Sequence, residues 1–104
     1  DETIFDFMKA GGHGCISVTA NIIPNVCAKL HKLFEEEKMD DALKINNSIM
    51  SLHKVLFLET SPAPVKYALC KLGLIEDTLR LPLVSVKQET KNNIDQVLSA
   101  LELI

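Results

Sequence analysis

The chain has 104 residues, 47% hydrophobic and 24% charged, which leaves room for one modest core and excludes intrinsic disorder. A net charge of −3 and an isoelectric point near 5.5 provide no electrostatic footprint for nucleic acid or for an anionic membrane surface. No apolar run approaches the roughly 18 residues of a membrane span, and the acidic opening DETIFDF does not read as a signal peptide.

Residues 1–10 are expected to form the first helix, with Ile4, Phe5 and Met8 on one face and acids in the first turn, where the helix dipole favours them. Gly11 and Gly12 stop it, because glycine takes the left-handed backbone that closes a helix. Residues 14–18, GCISV, are short, apolar and partly β-branched, and predict a buried strand. After a connection at 21–24, a helix to about residue 37 sets Val26, Leu30, Leu33 and Phe34 on one face.

The run Glu35, Glu36, Glu37, Lys38 reads as a solvated break, and Asp40 as the N-cap of a long helix to about residue 58. Ala42, Ile45, Ile49, Leu52 and Leu56 form its stripe, which Leu43, Met50 and Phe57 widen until much of the circumference is covered. The run SPAP at 61–64 then forces extended backbone before a helix carrying Val65, Ala68, Leu69 and Leu72, closed by Gly73. Residues 74–84 are irregular, and SVKQ at 85–88 has the form of a capping box. It opens a last helix with Ile94, Val97, Leu98 and Leu101 on one stripe. The grammar is helix, buried strand, helix, as in parallel α/β proteins. A single strand leaves its backbone groups unsatisfied, so it needs a partner outside the chain.

Three cysteines, Cys15, Cys27 and Cys70, lack a CxxC pair and read as reduced, mostly buried thiols of a cytoplasmic protein. His13, His31 and His53 are too far apart for a local metal motif, and His53 reads as a half-buried helix residue. No metal and no cofactor is expected.

Four segments match one family in order and spacing. GGHGCISVTAN at 11–21 resembles the GGxGxISVxAN segment of dihydrodipicolinate synthases. LHKVLF at 52–57 is similar to their LHxxLF, PAPVKYAL at 62–69 to PxPVKxAL, and LGL at 72–74 with LRLPL at 79–83 to LGL…LRLPL. The resemblance implies an α/β fold: the C-terminal part of a (β/α)8 TIM barrel, its last helix-strand-helix unit, plus a C-terminal helical extension. It divides the chain at 1–37, the end of the barrel, and 38–104, the extension, which would be predominantly α-helical in isolation.

The activity implied is condensation of pyruvate with aspartate semialdehyde, through a Schiff base on a lysine of the sixth strand, in lysine and diaminopimelate biosynthesis. None of the ten lysines lies on the expected strand, and Lys66 falls in a helix, so catalysis by this chain alone is not expected. Tyr67 does not match the family's catalytic tyrosine. Ile16 is the one site residue carried over, matching the strand position whose backbone lines the pyruvate pocket. The family also implies a homo-oligomer, commonly a tetramer, with Phe7, Met8 and Ala10 as candidates for a contact between subunits. Two other readings are a related pyruvate aldolase, of the neuraminate or keto-sugar-acid type, and a helical interaction module, for which a glycine-bounded strand has no use.

Overall fold

Helix is the only extended regular structure the chain forms. The structure, a computed structural model, describes all residues from Asp1 to Ile104. In chain order these are α1 (Ile4–Lys9), a 3-10 turn (Thr19–Asn21), α2 (Pro24–Glu35), α3 (Met39–Val55), α4 (Ala63–Lys71) and α5 (Gln88–Ala100). Two compact units are present, Asp1–Met50 and Ser51–Ile104, with the division inside α3.

The expected strand at 14–18 does not form. Residues 12–17 have no regular structure, and Ile16, expected in a buried strand, is fully exposed. The physical reason is the one raised by the sequence: a strand exists by pairing, and no second strand is present to pair with it.

In the first unit, Ile4, Leu30, Leu33, Phe34 and Ala42 form a buried cluster, with Phe5, Met8 and Ile45 packed on it. The Phe5 and Phe34 rings meet at 5.2 Å between centroids, tilted by 55°. This agrees with the faces read for α1 and α2. On α3, Ala42, Ile49 and Leu52 are buried as expected, but Leu43 is 42% exposed. Leu43 lies roughly 100° around the helix from Ala42, beyond the edge of the stripe. Phe57 is exposed as well, since α3 ends at Val55 and Phe57 lies outside it. Two polar residues, Asn46 and His53, occupy the buried face instead, so His53 is more deeply placed than expected. Asp40 sits in the first turn rather than at the cap.

Four helices end alike. At each, one left-handed residue lets the next amide return to a carbonyl in the last turn. After α1 this residue is Gly11 (φ 101°), with Gly12 N–H donating to Phe7 O at 2.9 Å; after α4 it is Gly73 (φ 76°), with Leu74 N–H donating to Leu69 O at 3.0 Å. After α2 and α5 it is a glutamate, Glu37 and Glu102, each at φ 58°. Lys38 N–H reaches Leu33 O and Leu103 N–H reaches Leu98 O, both at 2.9 Å.

In the second unit, α4 and α5 pack together. Ala63, Val65 and Ala68 are buried on α4, and Ile94 and Leu98 on α5. The Tyr67 hydroxyl donates to the Asp95 carboxylate at 3.0 and 3.2 Å, and the Lys71 ammonium lies 3.6 Å from the same carboxylate. The Lys91 ammonium sits 5.5 Å above the Tyr67 ring. The capping box read at 85–88 is not what starts α5. Lys87 is the cap residue, without a side-chain cap of its own, and Glu59 accepts the Lys87 amide at 2.9 Å. A distant carboxylate thus does what Ser85 was expected to do. The Thr90 hydroxyl and then the Lys87 amide hold the Glu59 carboxyl below its ordinary range.

Burial separates the leucines of α3. Leu52→Ala should cost about 2–5 kcal/mol, as for a filled core position, whereas Leu43→Ala should cost less than about 0.5 kcal/mol. Urea denaturation of both variants checks this, and equal losses would contradict the stripe described. Tyr67 gives a second test. Burial, then the bond to Asp95, pushes its phenol up to about 12. The fold therefore favours the neutral phenol: this stabilisation is complete below the ordinary value of about 10 and disappears as pH rises towards 12. Tyr67 is the only tyrosine and there is no tryptophan, so near-ultraviolet absorbance reads it alone. A titration midpoint at the ordinary phenol value would rule out the bond to Asp95, while Asp95→Asn should lower the midpoint.

Candidate functional site

The segment from residue 12 to 17 carries the one site residue read from the sequence, and its position is fixed at both ends. At its start, α1 closes through Gly11, and Gly12 then lies against the Phe7 ring, where a β-carbon would collide. At its end stands Asp1, read above as a first-turn acid of α1. α1 begins only at Ile4, and the Asp1 carboxylate turns instead to the far end of the segment. It accepts from the Ser17 hydroxyl, from Val18 N–H at 2.9 Å and from Thr19 N–H at 3.1 Å. Ser17 Oγ in turn accepts from Ala20 N–H at 3.0 Å. A negative oxygen on the free amides that open a helical turn is a charge-assisted cap, supplied here from 17 and 18 residues away.

Between these anchors the side chains alternate. Cys15 Sγ lies 3.9 Å from His31 Nε2 on α2, and the Ser17 hydroxyl lies near the Cys27 thiol, also on α2. Burial, the larger cause, pushes the Cys27 thiol up. The cysteines are less buried than expected: Cys15 is exposed, on a segment with no sheet above it, and Cys27 and Cys70 are half-buried on α2 and α4. A cleft of about 250 Å³ runs beside the segment, lined by Asp1, Thr3, Ile4, Phe7, Gly14 and Cys15. Ile16 is not part of its lining.

The segment therefore presents backbone rather than acid–base machinery. Each of the ten lysines lies in a helix or beside one, and Lys66 is half-buried on α4. The histidines are separate: His13 is exposed, His31 faces Cys15, and His53 is buried on α3. Of the α1 residues considered for a contact between subunits, Phe7 and Ala10 are exposed, while Met8 packs on the core. Sequence reasoning missed Asp1, Ser17 and Glu59, whose partners are 16 to 28 residues distant and leave no local signal.

Asp1→Ala should expose the Val18 and Thr19 amides and cost about 1–2 kcal/mol, the usual loss of a cap. Hydrogen exchange at these two amides should accelerate in the variant. Unchanged protection would mean that Asp1 does not hold the segment.

Residues 1–101 match the family model described as the Dihydrodipicolinate synthetase family. The 4-hydroxy-tetrahydrodipicolinate synthase of Gluconobacter oxydans is 46% identical over 104 residues, covering 100% of this chain and 35% of the relative. Among solved structures, dihydrodipicolinate synthase from Thermotoga maritima superposes with a TM-score of 0.96 at 35% identity, over 99% of this chain and 35% of that one. The chloride-inhibited Acinetobacter baumannii enzyme, complexed with pyruvate, gives 0.94 at 36% identity over the same shares. The chain spans about a third of the length of the curated relatives it matches. It belongs to the dihydrodipicolinate synthetase family.

Proposed function

We propose that the chain is the C-terminal portion of a class I aldolase-type lyase, which condenses pyruvate with aspartate semialdehyde on the way to lysine and diaminopimelate. The observation that carries this reading is the end-to-end match to synthases of that name, joined to a segment at 12–17 that lies between helices without a strand partner. Residues 1–37 then close a (β/α)8 barrel and residues 38–104 form its helical extension. The partner strands come from the rest of the parent protein, which works in the cytoplasm as a homo-oligomer, a tetramer by family analogy. No helix here is long and apolar enough to cross a membrane.

In this reading Ile16 acts through its backbone, at the rim of the pyruvate pocket, near the carboxyl end of a strand where barrel enzymes place their sites. The Schiff-base lysine comes from another strand. An amine of that kind attacks the pyruvate carbonyl only when unprotonated, and the resulting enamine is the carbon nucleophile that meets the aldehyde. What this chain supplies is a wall and its support: the caps at Gly11 and Asp1 fix both ends of the segment, and the cluster around Phe34 holds α1 and α2 beside it. The names of the relatives favour this branch over neuraminate and keto-sugar-acid lyases.

Two measurements test the proposal. Borohydride reduction with labelled pyruvate should leave all ten lysines of the chain unmodified, and stoichiometric labelling of any one of them would overturn the inactivity of the chain alone. Joined behind the corresponding first two-thirds of the Gluconobacter oxydans relative, the chain should give a folded enzyme that condenses the two substrates. A folded, tetrameric chimera that traps pyruvate yet makes no product would argue for another aldol acceptor.

A further inference from the structure

We infer that Asp1 is a positioning residue for the pyruvate site: its carboxylate sets the direction of the Ile16 backbone by way of Ser17, without touching the substrate. The inference rests on the function proposed above, in which that backbone lines the pocket. The geometry divides the work between the two carboxylate oxygens. Oδ1 accepts from the Ser17 hydroxyl, whereas Oδ2 accepts from Val18 N–H at 2.9 Å and from Thr19 N–H at 3.1 Å. One side chain thus holds three consecutive residues. Ser17 Oγ extends the hold to Ala20, whose N–H it accepts at 3.0 Å.

The Ile16 carbonyl belongs to the peptide that joins Ile16 to Ser17. A peptide unit is planar, so its direction follows from the dihedrals of the residues at its two ends. At Ser17 the side chain and the next amide are both fastened to one carboxylate, which fixes that residue on either side of its Cα. The other anchor of the segment, the closure of α1 at Gly12, lies further back, whereas Ser17 is the immediate neighbour of Ile16. In a closed barrel, pairing with adjacent strands would fix the body of the strand. Ile16 stands where that pairing gives way to the turn at Thr19–Asn21, and there Asp1 takes over.

With both oxygens engaged by hydroxyl and amides, the carboxylate acts as an acceptor and has no proton-transfer step to perform. An asparagine can therefore reproduce the pattern. Its Oδ1, placed as Oδ2 is now, accepts both amides, and its Nδ2 donates to Ser17 Oγ, which has a second lone pair beside the one that takes Ala20 N–H. Alanine reproduces none of it. A segment released from Asp1 samples other directions, and the apparent affinity for pyruvate falls to the fraction of time spent in the right one.

The test uses the chimera with the Gluconobacter oxydans relative and traps labelled pyruvate with borohydride over a range of concentrations. Asp1→Ala should raise half-saturation roughly tenfold, as when the right direction is held about a tenth of the time. Turnover at saturating pyruvate should change little, because the lost orientation serves ground and transition states alike. Asp1→Asn should restore most of the affinity, and Ser17→Ala, which keeps both amides on the carboxylate, should raise half-saturation less than Asp1→Ala. Glu59→Ala removes the comparable cap of α5 and should leave half-saturation unchanged. An equal rise in Glu59→Ala would reduce the effect to general loss of stability and overturn the positioning role. Asp1→Asn as impaired as Asp1→Ala would overturn it in favour of a charge or proton requirement. If Asp1→Ala does not fold, Ser17→Ala decides, and unchanged half-saturation there counts against the inference. An unmodified chimera that traps no pyruvate would sink the proposed function itself. Trapping that is normal in both the unmodified chimera and Asp1→Ala would sink the positioning role alone.

Discussion

A carboxylate that accepts from one hydroxyl and two amides ties the opening of the chain to the residues just before α2, and the first unit depends on that tie. Asp1 reaches Ser17, Val18 and Thr19, so the intervening residues form a closed loop. Within it, α1 is positioned over α2, and Phe5 can meet Phe34. A six-residue helix is too short to be stable by its own hydrogen bonds, so α1 persists through packing and through the fixed ends of its loop. Buried Ile4 supplies the first of these and Asp1 with Gly11 the second.

The second unit repeats the device with a different acid. Glu59 stands 28 residues before Lys87 in sequence, yet it accepts that amide and the Thr90 hydroxyl at the opening of α5. In both units a helical turn begins without a cap from its own cap residue, and a carboxylate from a distant element meets its free amides. Such a cap couples helix formation to tertiary structure, because the acceptor arrives only when the chain has folded. It also places a negative charge where the helix dipole favours one.

These long-range caps mark the limit of what the sequence shows. Local chemistry was legible: Gly11 and Gly73 end helices where glycine's freedom predicts, and of the stripes of α1, α2 and α5, Ile4, Leu30, Leu33, Phe34, Ile94 and Leu98 are buried while Phe5, Met8, Val26, Val97 and Leu101 are half-buried. The family was legible too, because its motifs are runs of consecutive residues. Glu37 and Glu102 were not, since glutamate has no preference for left-handed backbone, and only the returning amides of Lys38 and Leu103 identify the turn. Apolarity alone assigns Leu43 to the stripe of α3, whereas the buried face carries polar Asn46, which spacing of apolar residues does not select, and His53, which lies deeper than the half-buried position read for it. The strand was read from composition, and composition does not reveal whether a partner exists.

The segment nevertheless retains the pattern of a strand without being one. Cys15 and Ser17 turn towards α2, and Ile16 between them turns away, to a side that nothing in the chain covers. That is the period of two by which extended backbone divides its side chains between two faces. A strand of a parallel sheet is buried on both faces, by helices on one and by neighbouring side chains on the other. Here one face has its helix and the other is open, which leaves Ile16 fully exposed. Under the function proposed, that open face is the interior of the barrel. A backbone contact to pyruvate and a packed isoleucine side chain are then compatible, because they use different atoms of the same residue. Under the same proposal, the caps at Gly11 and Asp1 hold the segment in place for neighbouring strands to pair with it.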